Sequence, residues 1–157
     1  MTSDFTSEFN EIIKSFKRDA VLVGIPEDEN GRNDDAPIGN AALLAINNFG
    51  SPINNIPARP VMQIGIKNAQ TEIAAAFREG AKQALSKGLA ALSVTYNRVG
   101  IIASNSVKKA INSQEGIDPP SEATLKAREA KGFKGTKALV VTAQMRNAIT
   151  YVVKGEK

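Results

Sequence analysis

Residues 62–112 read MQIGIKNAQTEIAAAFREGAKQALSKGLAALSVTYNRVGIIASNSVKKAIN, and this stretch decides the fold. Apolar residues recur at helical spacing in both halves, and polar residues occupy the other faces. Gly88 interrupts the pattern near its middle. A glycine costs only about 1 kcal/mol inside a helix, so one long kinked helix and two antiparallel helices both remain open. The many alanines favour close helix packing in either case.

Short β-type segments lie on both sides of the helical stretch. Residues 20–25, AVLVGI, are rich in β-branched side chains and end before Pro26. Residues 148–153, AITYVV, alternate so that Ile149, Tyr151 and Val153 share one face. We expect these two strands to pair and to bring both ends of the domain into one sheet.

An apolar stripe at helical spacing marks residues 1–18 as an N-terminal helical arm. Its members are Phe5, Phe9, Ile12, Ile13 and Phe16. The arm packs either on the core of its own domain or on a neighbouring subunit. A further short helix is predicted over residues 38–48, with Gly50 as its stop. The expected fold is a single α+β domain over residues 1–157. A small antiparallel sheet packs with one long or two antiparallel helices, and the N-terminal helix is added to them.

Two segments rich in turn-forming residues are predicted to be exposed loops. Residues 26–37, PEDENGRNDDAP, contain five acids, but their spacing does not match an EF-hand, which favours a solvated turn over a calcium site. Residues 113–137 end in a basic cluster, which either contacts DNA phosphates or an acidic protein surface, or is simply solvated. Beyond it, residues 138–141 resemble a short strand and residues 142–147 a helical turn capped by Thr142.

The composition argues against an enzyme. The chain contains no histidine and no cysteine, which removes the commonest general base, the commonest metal ligand and thiol nucleophiles. Asp34 and Asp35 are adjacent, so a carboxylate pair there has no defined separation across a substrate. We therefore expect no catalytic, cofactor or metal site. No apolar run approaches the roughly 18 residues of a membrane span, so we expect no membrane partner.

Charge is unevenly distributed along the chain. Residues 1–35 carry nine acids and four bases, whereas residues 36–157 carry seven acids and sixteen bases. Such asymmetry can guide head-to-tail contacts between copies or turn a basic surface toward nucleic acid. An unevenly charged, solvated surface is the simpler interpretation.

The segment before the helical stretch is a stiff loop. Residues 47–62, NNFGSPINNIPARPVM, hold three prolines and one glycine among apolar side chains. Because proline fixes its own φ and restricts the residue before it, the loop should keep one extended shape. It either braces the helix that follows or docks on another subunit. We expect bracing from residues 57–60 and docking from residues 49–56.

Three segments resemble a family of neck and tail-completion proteins of tailed bacteriophages, also described as virion morphogenesis or minor tail proteins. They are FGSPINNIPARPVM, PPSEATLKAREAKG and KALVVTAQMRNAITYVV, in this order around the long helical stretch. The corresponding family patterns are FG…IPARP(F/W), (L/P)S..T…R…G and L(I/V).TG.LR.SI.Y.V. The match runs from about Val21 to Val153. The sequence departs from the patterns at Val61, where a larger aromatic is usual, and at Ala143, where glycine is usual.

The resemblance implies a non-enzymatic structural subunit of the virion, assembled in the host cytoplasm. Such proteins form homo-oligomeric rings at the head–tail junction, and we expect six or twelve copies. The neighbours would be portal, adaptor or head-completion proteins on one side and tail terminator or tail tube proteins on the other. DNA would pass through the ring. The alternative is a DNA-binding accessory protein that uses residues 126–137.

Two groups of candidate residues follow. The subunit-interface candidates are Phe49, Ile53, Ile56, Pro57, Arg59, Pro60 and Arg146. The candidates for facing DNA in the channel are Lys126, Arg128, Lys131, Lys134 and Lys137. Arg59 is expected to anchor the loop to a carboxylate or to backbone carbonyls through its five donors. Arg146 is expected to brace the short helix before the last strand or to form a structural salt bridge.

Overall fold

The predicted α+β class is confirmed by a computed structural model, which describes residues 2–34, 37–140 and 143–155, with side chains from Thr6 onward. Over these ranges the chain forms six α-helices and two β-strands. In chain order they are α1 (Thr2–Arg18), β1 (Ala20–Gly24), α2 (Asn40–Phe49), α3 (Val61–Lys87), α4 (Ala90–Ser113), α5 (Glu122–Ala130), α6 (Gln144–Ala148) and β2 (Thr150–Lys154).

The long helical stretch forms two antiparallel helices, α3 and α4, which pack along their length. The chain reverses at Gly88, whose φ of +79° is in the left-handed region that favours glycine. Its amide donates to the Ala84 carbonyl at 2.9 Å and closes the end of α3. Of the two arrangements that the sequence left open, the structure shows two antiparallel helices, which form a helical hairpin.

Small residues form the face of α3 that meets α4. A Cβ added at Gly65 would lie 2.5 Å from the Cα of Val107, and one at Gly80 would overlap the side chain of Thr95. The hydroxyl of Ser106 also donates to the Gly65 carbonyl at 2.8 Å. The two helix backbones therefore approach more closely than any larger side chain would permit.

This contact face differs from the one indicated by the larger apolar residues of the sequence. The buried residues of α3 are Val61, Gly65, Ala69, Ala76, Gly80 and Ala84. Ile66 and Leu85 share the predicted helical spacing with Ala69 and Ala84, but of these four residues only the two alanines are buried. Hydrophobicity patterns undervalue glycine and alanine, so they point to a neighbouring face of the same helix.

The two-stranded sheet lies on α4. The predicted antiparallel pairing of the two strands is confirmed, and the register runs from Ala20 opposite Lys154 to Gly24 opposite Thr150. Gly100 leaves room on α4 for the ring of Tyr151, which a Cβ there would overlap. The Tyr151 hydroxyl donates to Asn97 Oδ1 at 3.0 Å. Both strands are thus held on the helical hairpin.

The core has two parts, one at each end of the hairpin. The first contains Leu44, Val61, Val107, Ile111, Ile117, Ala138, Met145 and Ile149. The second contains Ile12, Ala84, Leu92 and Tyr96, with Phe16 and Phe77 packed against it. Ring centroids of Phe16, Phe77 and Tyr96 lie 6.2–6.4 Å apart in edge-to-face arrangements.

The N-terminal arm packs on its own domain through Ile12 and Phe16. Phe9 and Ile13 stay partly exposed, and the side chain of Phe5 is outside the described residues. Within 26–37, the described residues contain a short 3-10 turn at Glu27–Glu29 and a cap in which Asn30 Oδ1 accepts the Ala41 amide at 2.8 Å. This loop is therefore tied to the start of α2.

Two expectations from the sequence need correction. Residues 138–140 form a turn, not a strand, and Leu139 has a φ of +62° that no strand allows. The segment 113–137 is not a continuous exposed loop, because it contains α5 and buries Ile117 in the core. Val141 and Thr142, the proposed end of that strand and the proposed cap, are outside the described residues.

We predict that Gly65→Ala destabilises the protein. Alanine normally raises helix stability by about 1 kcal/mol over glycine. Here overpacking against the α4 backbone, which typically costs about 1–3 kcal/mol, should outweigh that gain. The free energy of unfolding, measured by urea titration, should fall. The matched control, Ala74→Gly on the exposed face of α3, should fall by about 1 kcal/mol through helix propensity alone. A rise in stability for Gly65→Ala would show that α3 and α4 are not in close contact.

Candidate subunit interface

The loop between α2 and α3 is closed at its base by two hydrogen bonds. The Arg59 amide donates to the Asn47 carbonyl at 2.8 Å. The Met62 amide donates to Oδ1 of Asn48 at 3.1 Å. Through this bond the buried side chain of Asn48 satisfies an amide in the first turn of α3 and joins that helix to the end of α2.

The tip of the loop is held by its own backbone. Ser51 and Ile56 exchange both amide-to-carbonyl hydrogen bonds at 2.9 Å, and a 3-10 turn at Pro52–Asn54 lies between them. Gly50 has a φ of +78°, and a Cβ there would lie 2.8 Å from the Ala58 nitrogen. These constraints give the loop one defined shape, as its prolines predict.

Arg59 braces the loop from the inside. The residue is buried, and its Nε donates to the Asp118 carbonyl at 2.9 Å while Nη2 donates to the Pro119 carbonyl at 3.3 Å. Of the two anchors that the sequence left open for Arg59, a carboxylate or backbone carbonyls, the structure shows the backbone carbonyls. Arg59 therefore ties the loop to the segment before α5.

The other loop candidates differ in exposure. Phe49 is 72% exposed and Ile53 is 97% exposed. Pro57 is exposed, whereas Ile56 and Pro60 are partly covered. Two large apolar side chains thus project from a loop that is held in place by the hydrogen bonds of Arg59.

Arg146 lies on α6. Its Nη1 donates to Oδ1 of Asn112 at 2.7 Å, at the end of α4, and its Nη2 donates to Oδ1 of Asn147 at 2.9 Å. These partners are amide oxygens, so the arginine braces α6 against α4. Just before α6, Ala143 adopts φ +59° and ψ 0°, the left-handed conformation expected of glycine.

Two of the five basic candidates donate hydrogen bonds to backbone carbonyls within the fold. Arg128 Nη1 donates to the carbonyls of Gly135 and Lys137 at 3.2 and 2.8 Å. Lys137 Nζ donates to the Asn112 carbonyl at 2.7 Å. Burial lowers the pKa of Arg128, and the nearby charge of Arg59 lowers it further. The remaining three lysines, Lys126, Lys131 and Lys134, are exposed.

Sequence reasoning missed two amide side chains that shape this region. Asn48 caps α3, as described above, although it lies fourteen positions from its partner. Gln114 accepts the Ala138 amide at 2.7 Å and donates to the Ala138 carbonyl at 3.1 Å, which mimics a strand pairing. Both contacts join distant positions, so no local pattern identifies them.

Only one member of the carboxylate pair, Asp34, lies in the described part of the chain. Asp34 pairs with Arg32, and Asp35 is outside the described residues. Among the residues described, no group of three or more acids is placed to hold a metal ion. Over the same ranges, none of the helices is long and apolar enough to cross a membrane.

Comparisons with protein-family models, with curated proteins and with solved structures give no match to this chain. The geometry of the loop and the sequence resemblance are therefore the grounds for a functional proposal.

We predict that Arg59→Ala loosens the loop. Each hydrogen bond from a charged donor contributes about 1.5–3 kcal/mol, and two carbonyls would lose their partner, so the free energy of unfolding should fall by about 2–4 kcal/mol. Amide hydrogen exchange should also accelerate at residues 51–56. Arg78→Ala, on the exposed surface of α3, is the control and should change stability by less than about 0.5 kcal/mol. Equal effects of the two variants would contradict the bracing role.

We predict that Ala143→Gly stabilises the protein. A left-handed conformation costs an L-residue about 1–2 kcal/mol, and glycine avoids this cost while losing more backbone entropy on folding. The net gain in the free energy of unfolding should be about 0.5–1 kcal/mol. Ala123→Gly, in the right-handed helix α5, should instead lose about 1 kcal/mol. A loss of stability at both positions would rule out the left-handed backbone at Ala143.

Proposed function

We propose that this protein is a non-enzymatic structural subunit of the head–tail junction of a tailed bacteriophage, where its copies assemble into a ring. The observation that carries the proposal is the exposure of Phe49 and Ile53 on a braced, single-conformation loop. The same loop contains the IPARP segment, residues 56–60, of the family resemblance.

A rigid apolar loop is suited to binding a protein partner. Single exposed apolar residues are common on protein surfaces and by themselves indicate little. Here Phe49 and Ile53 project from a segment whose conformation is fixed by the bonds of Ser51, Ile56 and Arg59. Docking such a loop loses little conformational entropy, so more of the gain from burying apolar area remains as affinity.

A ring needs two different surfaces on each copy, because its contacts are heterologous. The apolar loop supplies one of them. The acidic balance of residues 1–35 against the basic balance of residues 36–157 supplies a charge difference that can orient neighbouring copies. Six or twelve copies would then place portal, adaptor or head-completion proteins on one side. Tail terminator or tail tube proteins would lie on the other, with DNA in the channel.

We predict that the double variant Phe49→Ser/Ile53→Ser folds normally but does not assemble. Both side chains are exposed, so the thermal midpoint should stay within the range of neutral surface changes. The sedimentation velocity of the variant should be that of a monomer at concentrations where the wild type is oligomeric. Val94→Ser, which alters a side chain 68% exposed on α4, is the control and should assemble as the wild type does. Unchanged assembly of the double variant would remove the loop from the interface.

A second candidate function is supported by the exposed lysines of the 126–137 segment. Lys126, Lys131 and Lys134 lie at the surface within a short stretch, and such clusters bind DNA phosphates without reading sequence. A DNA-binding accessory protein is the alternative proposal on this ground. The commitment of Arg128 and Lys137 to backbone carbonyls leaves three cations for that role, which favours weak binding.

The two functions predict different DNA affinities. For an accessory protein, the isolated monomer should bind duplex DNA tightly, and the affinity should fall steeply with salt, with a slope of about −0.9 for each phosphate contacted. Lys126→Gln/Lys131→Gln/Lys134→Gln should then abolish most of the affinity. For a ring subunit, the same triple change should leave assembly intact. Electrophoretic mobility shifts at two salt concentrations, together with sedimentation, separate the two proposals.

A further inference from the structure

The two-stranded sheet has an open edge along β2. β1 pairs with one side of β2, and among the described residues no group is hydrogen-bonded to the backbone of its other side. An edge strand presents alternate amides and carbonyls outward, and such edges are usually protected by proline or by charge. Val152, in the middle of β2, is 46% exposed, and the only charge of the strand is Lys154 at its end. The middle of this edge is therefore able to pair with another strand.

An apolar shelf, formed by Val94 and Ile101 of α4, adjoins the open edge. The two side chains are 68% and 50% exposed. They line an open groove of about 430 Å³ together with Ser93, Asn97, Arg98 and Ile102. The Tyr151 hydroxyl of β2 donates to Oδ1 of Asn97 at 3.0 Å, so this strand and the groove are in direct contact. The shelf thus continues the surface of α4 on which both strands pack.

Only an extended chain satisfies the edge and the shelf together. The backbone groups of an edge strand are paired by a second strand that lies about 4.8 Å away. Alternate side chains of such a strand point toward α4, as Tyr151 and Val153 of β2 already do. The open edge therefore selects an extended backbone, and the shelf selects apolar side chains at every second position.

Basic side chains on this surface favour an acidic segment. The elements α4, β1 and β2 contain four bases and no acid. Two of these bases are exposed, Arg98 in the groove and Lys154 at the end of β2. Neither forms an ion pair with a described residue. Residues of a third strand that point away from α4 would lie beside Lys154, where an acid forms a favourable cross-strand pair.

The acids that come near this surface do not line the groove beside β2. Asp19, which precedes β1, pairs with Arg18. Glu72 of α3 lines a separate groove that shares Ile101, and Lys109 lines that groove as well. The positive charge of the groove beside β2 is therefore not balanced by an acid of its own lining.

We propose that β2 and the apolar shelf bind an extended segment of a partner protein as a third strand of the sheet. In that segment, apolar residues that face α4 alternate with acidic residues that face solvent. Main-chain hydrogen bonds supply affinity in such strand addition, and the alternate side chains supply specificity. β1 of a second copy does not meet these needs, because its inward Val21 and Val23 are already packed in its own core. The inference goes beyond the ring and does not use the Phe49–Ile53 loop, so each can fail without the other.

A synthetic peptide in which valine and glutamate alternate is the probe. Its binding to the full-length protein is followed by amide chemical shifts in nuclear magnetic resonance spectra and by amide hydrogen exchange. We expect shifts and slower exchange at alternate residues of β2. The same peptide with every amide N-methylated keeps its side chains but has no backbone donor, so it should not bind. A peptide in which valine and lysine alternate should bind about tenfold more weakly, because its charge repels Arg98 and Lys154.

Ile101→Glu is the matching change in the protein, since it places an acid on the shelf. The affinity for the valine–glutamate peptide should fall about tenfold or more, because an apolar contact is lost and two acids meet. Leu85→Glu, at a position on α3 that is 48% exposed, is the control and should bind as the wild type does. If Ile101→Glu does not fold, the comparison of the two backbone forms of the peptide on the wild type still decides.

The contradicting results are distinct. Absence of binding by the valine–glutamate peptide, equal binding by its N-methylated form, or equal affinities of Ile101→Glu and Leu85→Glu would each overturn the third strand. Slower exchange along β2 that arises on self-assembly without peptide would assign the edge to a second copy and overturn the partner segment. A wild-type protein that stays monomeric yet binds the peptide at β2 would contradict the ring and support the third strand.

Discussion

The close contact between α3 and α4 is the constraint on which the rest of the structure depends. Gly65 and Gly80 let the two helix backbones meet where any side chain would collide with Val107 or Thr95. On another face of α4, Gly100 accommodates Tyr151 and seats the sheet. The hairpin is thus closely packed, and one core cluster lies near each of its ends. Such tight packing tolerates little change in side-chain volume. The hairpin therefore gives the sheet and the loop before α3 a fixed base.

The loop proposed as an interface leads directly into α3 of the hairpin. The loop begins where α2 ends and finishes where α3 starts, and Asn48 joins these two helices through the Met62 amide. Arg59 adds a tie to the segment before α5. A loop held in this way presents Phe49 and Ile53 in one arrangement before any partner arrives, so assembly need not order it. The contacts of Asn48 and Arg59 that fix the loop thus leave Phe49 and Ile53 exposed.

Much of the fold could be predicted from the sequence because its signals are local. The periodicity of residues 62–112, the alternation in residues 148–153 and the prolines of the loop each report on their own segment. The inner face of α3 could be predicted only in part, since close packing buries Ala69 and Ala84 of the apolar stripe together with two glycines but leaves the larger Ile66 and Leu85 exposed. The strand predicted at residues 138–141 is wrong over its described part, residues 138–140, because Gln114 holds Ala138 in a turn. The roles of Arg128 and Lys137 were missed because composition counts charges but not their hydrogen bonds.

The proposed ring is tested most directly by negative-stain electron microscopy of the purified wild-type protein, alone and mixed with portal and tail proteins of a tailed bacteriophage. We expect closed rings with a central channel, formed by the protein itself or on contact with a portal or a tail. Uniform monomers that join neither a portal nor a tail under any of these conditions would contradict it.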